Sequence, residues 1–139
     1  QSHQLNDLPE VTRLIGSLVL EKEVFLPGYL SDAEIKALYQ GAFAYVFPST
    51  NEGFGIPILE AMNFGLPVIH SDQPALVEVA AVAALAFQTN SPADLTEKMI
   101  LLEEDETLRT NLILQGKERV KEFTAEKFIA AFHRLILSA

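Results

Sequence analysis

Hydrophobic positions along this chain recur with two different spacings. Short apolar runs at residues 24–26, 44–47, 67–70 and 84–87 read as β-strands, and the stretches between and after them repeat apolar residues at helical spacing. A first helix is expected over residues 8–20. Ser31-Asp32-Ala33-Glu34 forms a capping box, with Ile35, Leu38, Tyr39 and Ala42 making one apolar face behind it. Ser91 followed by Pro92 marks another helix start, with Leu95, Met99 and Leu102 at its inner positions. Asp105 opens a further helix and Thr124 caps the last, with Phe123 and Phe128 at the staple positions around that cap. Strands that alternate with helices predict parallel βα units, because adjacent parallel strands need a crossover connection. Wholly apolar strands suit a sheet covered on both faces. The expected fold class is therefore α/β. Four strands are few for a doubly wound sheet, and the chain opens on Gln1 and a helix. One or two strands are expected upstream of Gln1 in a longer parent protein.

Composition narrows the function. The 139 residues are 49% hydrophobic, enough for one domain with a real core. There are 19 acidic side chains against 10 basic ones, a formal charge of −9, which disfavours nucleic acid and anionic membranes as partners. The absence of cysteine excludes disulfides, thiol catalysis and cysteine-ligated zinc. His3, His70 and His133 are scattered, so no metal is expected. The apolar run 79–87 is too short to span a bilayer. The charges in the helical tail read as a solvated face. A cytoplasmic location is expected, with the inner face of the membrane as the alternative for the parent.

The chemistry concentrates in residues 47–62. This stretch leaves a strand, passes Gly53 and Gly55, and enters a helix at Pro57 that Gly65 and Pro67 end. Open α/β sheets bind ligands at the carboxyl ends of their strands, where such loops lie. Glycines admit close backbone approach, and free N–H groups at a helix start attract anions. Glu52 and Glu60 flank the element; carboxylates repel phosphate but accept hydrogen bonds from sugar hydroxyls. Amides for an anion beside carboxylates for hydroxyls fit a nucleotide-sugar. Between Lys36 and Lys98 there is no Lys or Arg, so the positive charge that a diphosphate needs is expected from residues upstream of Gln1.

The ordered blocks resemble the C-terminal, donor-binding domain of a GT-B fold retaining glycosyltransferase of the family 4 type. They are Phe25-Leu26-Pro27-Gly28-Tyr29, Leu38-Tyr39-Gln40-Gly41-Ala42, Pro48-Ser49, the run from Glu52 to Met62, Gly65-Leu66-Pro67-Val68-Ile69, Ser71-Asp72, and Leu76 with Glu78. The resemblance implies a Rossmann-like parallel sheet with helices on both faces. The whole chain, 1–139, would be a donor domain truncated at its N-terminal side. The parent would move a sugar from a nucleoside-diphosphate sugar to an acceptor hydroxyl with retention, in polysaccharide assembly. By the same resemblance Glu60 would bond the ribose, and Glu52 would be the catalytic carboxylate beside the transferred sugar. Gly53, Phe54, Gly55 and Ile56 would offer backbone amides, and Tyr29 would lie near the base. No cofactor or metal is implied. The acceptor, a sugar or lipid-linked glycan, would be held by an N-terminal domain absent here, so the fragment alone is expected to be inactive.

Three departures accompany the resemblance. The family's basic pair for the diphosphate is absent, Pro74 and Ala75 replace a common Gly-Gly, and Ala81-Val82-Ala83 stands where Gly-Asp-Ala is frequent. One alternative is a non-catalytic interaction module that has lost its ligand, favoured by the missing cations and by Ala81-Val82. Another is a dinucleotide-binding oxidoreductase domain, with Gly53, Gly55 and Asp72 as its fingerprint, although Ile58 occupies the third glycine position and Pro57 the turn. His70, at a strand end, could touch a ligand or be structural. Ser49 and Ser71 show no readable triad. Phe54 could pack on the domain or cover a donor.

Overall fold

The computed structural model describes residues 8–125. The chain forms two compact units, Gln1–Ile35 and Lys36–Ala139.

The first unit is built from local hydrogen bonds. Helix α1 (Leu8–Ser17) has an apolar stripe but no buried side chain. It stops short of the expected residue 20 because Val19 turns left-handed (φ 57). The N–H of Val19 then reaches the Gly16 carbonyl at 3.1 Å and that of Leu20 the Ile15 carbonyl at 3.0 Å, the pair of bonds that closes a Schellman motif. A β-branched residue in this conformation is strained. The strand expected at residues 24–26 does not form. A strand needs a ladder partner, and the Val24 N–H is spent on the Leu20 carbonyl at 2.9 Å. Helix α2 (Asp32–Gly41) starts as its capping box predicts. The Ser31 N–H donates to Glu34 Oε2 at 2.8 Å, and the Glu34 N–H reaches Ser31 Oγ at 3.4 Å. The Ser31 N–H and the Ser31 hydroxyl, which donates to the same Oε2 at 2.7 Å, hold the Glu34 carboxyl below its ordinary pKa.

The second unit contains the sheet. Strands β1 (Tyr45–Phe47), β2 (Val68–Ser71) and β3 (Leu85–Phe87) follow the other three apolar runs to within one residue. They pair in parallel in the order β1-β2-β3, with Phe47 opposite His70 and Ser71 opposite Phe87. Helix α3 (Ile56–Asn63) crosses from β1 to β2, and α4 (Pro74–Ala80) from β2 to β3. Helices α5 (Pro92–Glu104) and α6 (Glu106–Val120) follow, then a 3₁₀ turn (Lys121–Phe123). Ser91 Oγ accepts from the Asp94 N–H and Asp105 Oδ1 from the Leu108 N–H, so both expected caps form. The staple expected around the Thr124 cap involves Phe128, which lies outside the described residues, as do His3 and His133.

Both sheet faces are covered, as expected. On one face Val68 meets Ile58, Ala61 and Met62 of α3 and Leu76, Val79 and Ala80 of α4. On the other, Ile69 and Phe87 meet Leu102 of α5 and Leu112 of α6. Period-two alternation along β2 thus feeds two separate cores. Each fully buried Ile, Leu or Met contributes about 1.5–3 kcal/mol. Helix α6 reaches α3 through Gly116, where a Cβ would come within 3.1 Å of Met62 Cγ.

Two turns between these elements carry positive φ. Helix α3 ends at Gly65 (φ 76), whose N–H donates to Met62 O while the Leu66 N–H donates to Ala61 O, a second Schellman motif. After α4, Ala81 adopts φ 49, ψ −123 and the Ala83 N–H donates to Ala80 O at 3.0 Å. This is the type II′ geometry that glycine serves best. Ala81 therefore holds a conformation that strains its side chain.

Candidate functional site

Residues 48–55 join β1 to α3 at the carboxyl end of the sheet. Helix α3 begins at Ile56, one residue before the expected Pro57, with Gly55 as its N-cap (φ 91) and no side-chain cap. Glycine is mandatory at 55: besides the positive φ, a Cβ would stand 2.6 Å from Leu76 Cδ2. Nothing lies within 4 Å of a Cβ built on Gly53, so packing makes no such demand there. Among the described residues, the N–H groups of Gly53, Phe54, Gly55 and Ile56 donate to no protein acceptor. A run of unspent donors at a helix start is suited to an anion.

The two carboxylates at this element are held differently. Glu52 is half-buried, and its Oε1 accepts from Ser49 Oγ at 2.9 Å. Glu60 lies one turn into α3 and is exposed, with no protein hydrogen bond to its carboxylate among the described residues. Tyr45 of β1 and Tyr39 of α2 stand near it, rings 5.6 Å apart. Burial first, then the neighbouring charges, pushes the Tyr45 phenol well up; burial and the charge of Glu60 push up Tyr39.

Phe54 packs on the domain. Its ring meets Phe123 edge-on at 5.7 Å, and the Arg119 guanidinium lies 4.9 Å over the same Phe123. Arg119 also donates to the Val79 carbonyl at 2.7 Å and the Glu78 carbonyl at 2.8 Å, capping the end of α4. Sequence reasoning gave Phe123 a different role, at the Thr124 cap, and missed Arg119; both are remote in sequence from the loop they brace.

His70 is structural in this arrangement. It is buried, its Nδ1–H donates to the Ser71 carbonyl at 2.7 Å, and burial lowers its pKa. Asp72 is also committed internally: its Oδ1 accepts from the Thr89 N–H at 2.9 Å and from the Thr89 hydroxyl, which lowers its pKa. Both bonds fall on one carboxylate oxygen and tie the end of β2 to the residues after β3. Glu52, Gly53, Phe54, Gly55, Ile56 and Glu60 thus share one element. Tyr29 belongs to the first unit, where its ring is 98% exposed. Apolar hollows of about 490 and 370 Å³ lie elsewhere in the second unit, beside Phe43 and Met99 and beside Val82 and Leu114.

A parallel α/β sheet with helices on both faces, whose first loop presents free amides between two carboxylates, has the fold of the C-terminal half of a GT-B glycosyltransferase. The chain belongs to the family "Glycosyl transferases group 1", whose model matches residues 6–119. It is similar to O-antigen chain mannosyltransferase B of Escherichia coli, 35% identical over 99 residues that cover 71% of this chain and 26% of that protein. It is also 31% identical over 141 residues to the serotype-specific mannosyltransferase WbdA of Escherichia coli, covering 98% of this chain and 17% of that one. The chain thus spans about a quarter or less of the length of these curated relatives. Among solved structures, Anabaena Alr3699/HepE in complex with UDP superposes with a TM-score of 0.85 at 21% identity, over 95% of this chain and 37% of that one. That likeness concerns the fold. No helix among the described residues is long and apolar enough to cross a membrane.

Proposed function

We propose that residues 1–139 belong to the donor-binding domain of a retaining glycosyltransferase that uses a nucleoside-diphosphate sugar. The observation that carries the reading is the run of unspent N–H groups from Gly53 to Ile56, set between Glu52 and Glu60. In this reading the exposed Glu60 accepts hydrogen bonds from the ribose hydroxyls. Glu52, at the loop, faces the transferred sugar and supports the positive charge that develops as its bond to the diphosphate breaks. The amides and the α3 dipole bind the leaving diphosphate, with cations supplied from upstream of this chain and no metal. Open space at Gly53 lets the sugar approach the backbone. Tyr29 is assigned to the base by family resemblance alone.

The mannosyltransferase relatives support a hexosyl donor and a role in polysaccharide assembly. The acceptor hydroxyl belongs to a domain outside this chain, so the fragment alone transfers no sugar. Calorimetric titration with UDP, GDP and ADP, repeated on Glu60→Ala, tests the reading. One nucleotide should bind and weaken at least about tenfold in the variant, the size of a lost charge-assisted hydrogen-bond pair. Undiminished binding by Glu60→Ala would remove Glu60 from the ribose.

A further inference from the structure

Glu52 is anchored to the sheet. Ser71 ends the central strand β2 with its side chain fully buried, and its hydroxyl donates to the Ser49 carbonyl. Ser49 in turn places its own hydroxyl 2.9 Å from Glu52 Oε1 and 3.5 Å from the Asn51 carbonyl. A hydroxyl has one proton, and the shorter, charge-assisted contact takes it. Among the described residues, 48–54 make no backbone–backbone hydrogen bond outside helices and strands, so these serine contacts are what tie this loop to β2. They fix one oxygen of Glu52 and leave Oε2 without a protein partner among the described residues.

We propose that Ser49, backed by Ser71, is a positioning residue that holds the Glu52 carboxylate at the transferred sugar. This rests on the reading of Glu52 given above. Holding a reacting group in place lowers the cost of reaching the transition state more than it tightens ground-state binding. The effect therefore belongs in kcat.

The test is donor hydrolysis by the full-length protein that carries this chain, with UDP-glucose, GDP-mannose and ADP-glucose supplied separately. The water oxygen bonds to C1 as the bond from C1 to the diphosphate oxygen breaks, the proton that water loses passes to the leaving diphosphate or to solvent, and the nucleoside diphosphate leaves. Ser49→Ala is expected to lower kcat about tenfold while the donor KM moves by less than about threefold. Ser49→Thr keeps the hydroxyl and should restore kcat. Ser71→Ala should give a smaller loss, and adding it to Ser49→Ala should cost nothing more, since both act through one link. If Ser71→Ala fails to fold, the Ser49 pair decides alone. Wild-type kcat in Ser49→Ala, a loss confined to KM, or a Ser49→Thr variant as slow as Ser49→Ala would each overturn the proposal while the donor-site reading stands. A wild-type protein that hydrolyses none of the three donors would remove that reading and the proposal with it.

Discussion

Two loops leave neighbouring parallel strands at the same end of the sheet, and they use their polar groups differently. The connection from β2 to α4 is residues 72 and 73, and the end of β3 and the residues after it take up most of its polar groups, leaving the Gln73 and Ala75 N–H groups without a protein acceptor among the described residues. The Asp72 N–H donates to the Phe87 carbonyl at 2.8 Å, the Asp72 carboxylate takes two bonds from Thr89, and Gln73 Nε2 reaches Thr89 Oγ1 at 3.3 Å. The connection from β1 to α3 is residues 48–55, and it leaves its amides from Gly53 onward open. Both helices then start with an early proline and without a side-chain cap. Helix starts alone do not distinguish the two loops. A loop that satisfies its own polar groups is a joint in the fold, and one that leaves them unspent at the surface is a place for an outside acceptor.

The largest effect on this contrast is expected from Gly55→Ala, which combines a forbidden φ with the clash at Leu76. It should destabilise by about 2–4 kcal/mol in thermal or denaturant unfolding. Gly53→Ala, two residues away in open space, should stay within about 0.5 kcal/mol of wild type while weakening nucleotide binding. Next comes Asp72→Ala, which should lower stability without changing nucleotide affinity. The Asp72 pKa is depressed in the native state by Thr89, so its contribution is present above the unfolded carboxyl value of about 3.9 and is lost as pH falls through the lower native value. Acid unfolding curves of wild type and Asp72→Ala should therefore converge at low pH; parallel curves would contradict this account. The last effect is a gain. Ala81→Gly relieves the strained turn and should stabilise by about 1 kcal/mol, read as a raised melting temperature.

Much of this architecture was legible because its signals are local. Ser31, Ser91 and Asp105 each cap a helix within three residues of themselves, and three of the four apolar runs became strands at their expected places. The run at 24–26 failed because its pattern says nothing about a ladder partner, and a strand without one has no hydrogen bonds to gain. Val19 and Ala81 were opaque for a different reason: neither residue type signals positive φ, so the surrounding bonds had to impose it. At the site, the 52–60 element could be read from residue types and spacing. Its supports could not. Ser71 reaches Ser49, and Phe123 reaches Phe54, across gaps that no short-range pattern encodes. The serine link does follow, in retrospect, from parallel register, since Phe47 opposite His70 brings the residues just beyond both strand ends together.

Strand β1 has consequences for handling the molecule. Among the described residues it pairs with β2 alone, and its three residues, Tyr45, Val46 and Phe47, are aromatic or β-branched and only half-buried. An unpaired row of backbone donors and acceptors flanked by such side chains is adhesive toward any other extended chain. Edge-to-edge association is therefore expected to compete with unfolding when this chain is concentrated, which light scattering against concentration would read.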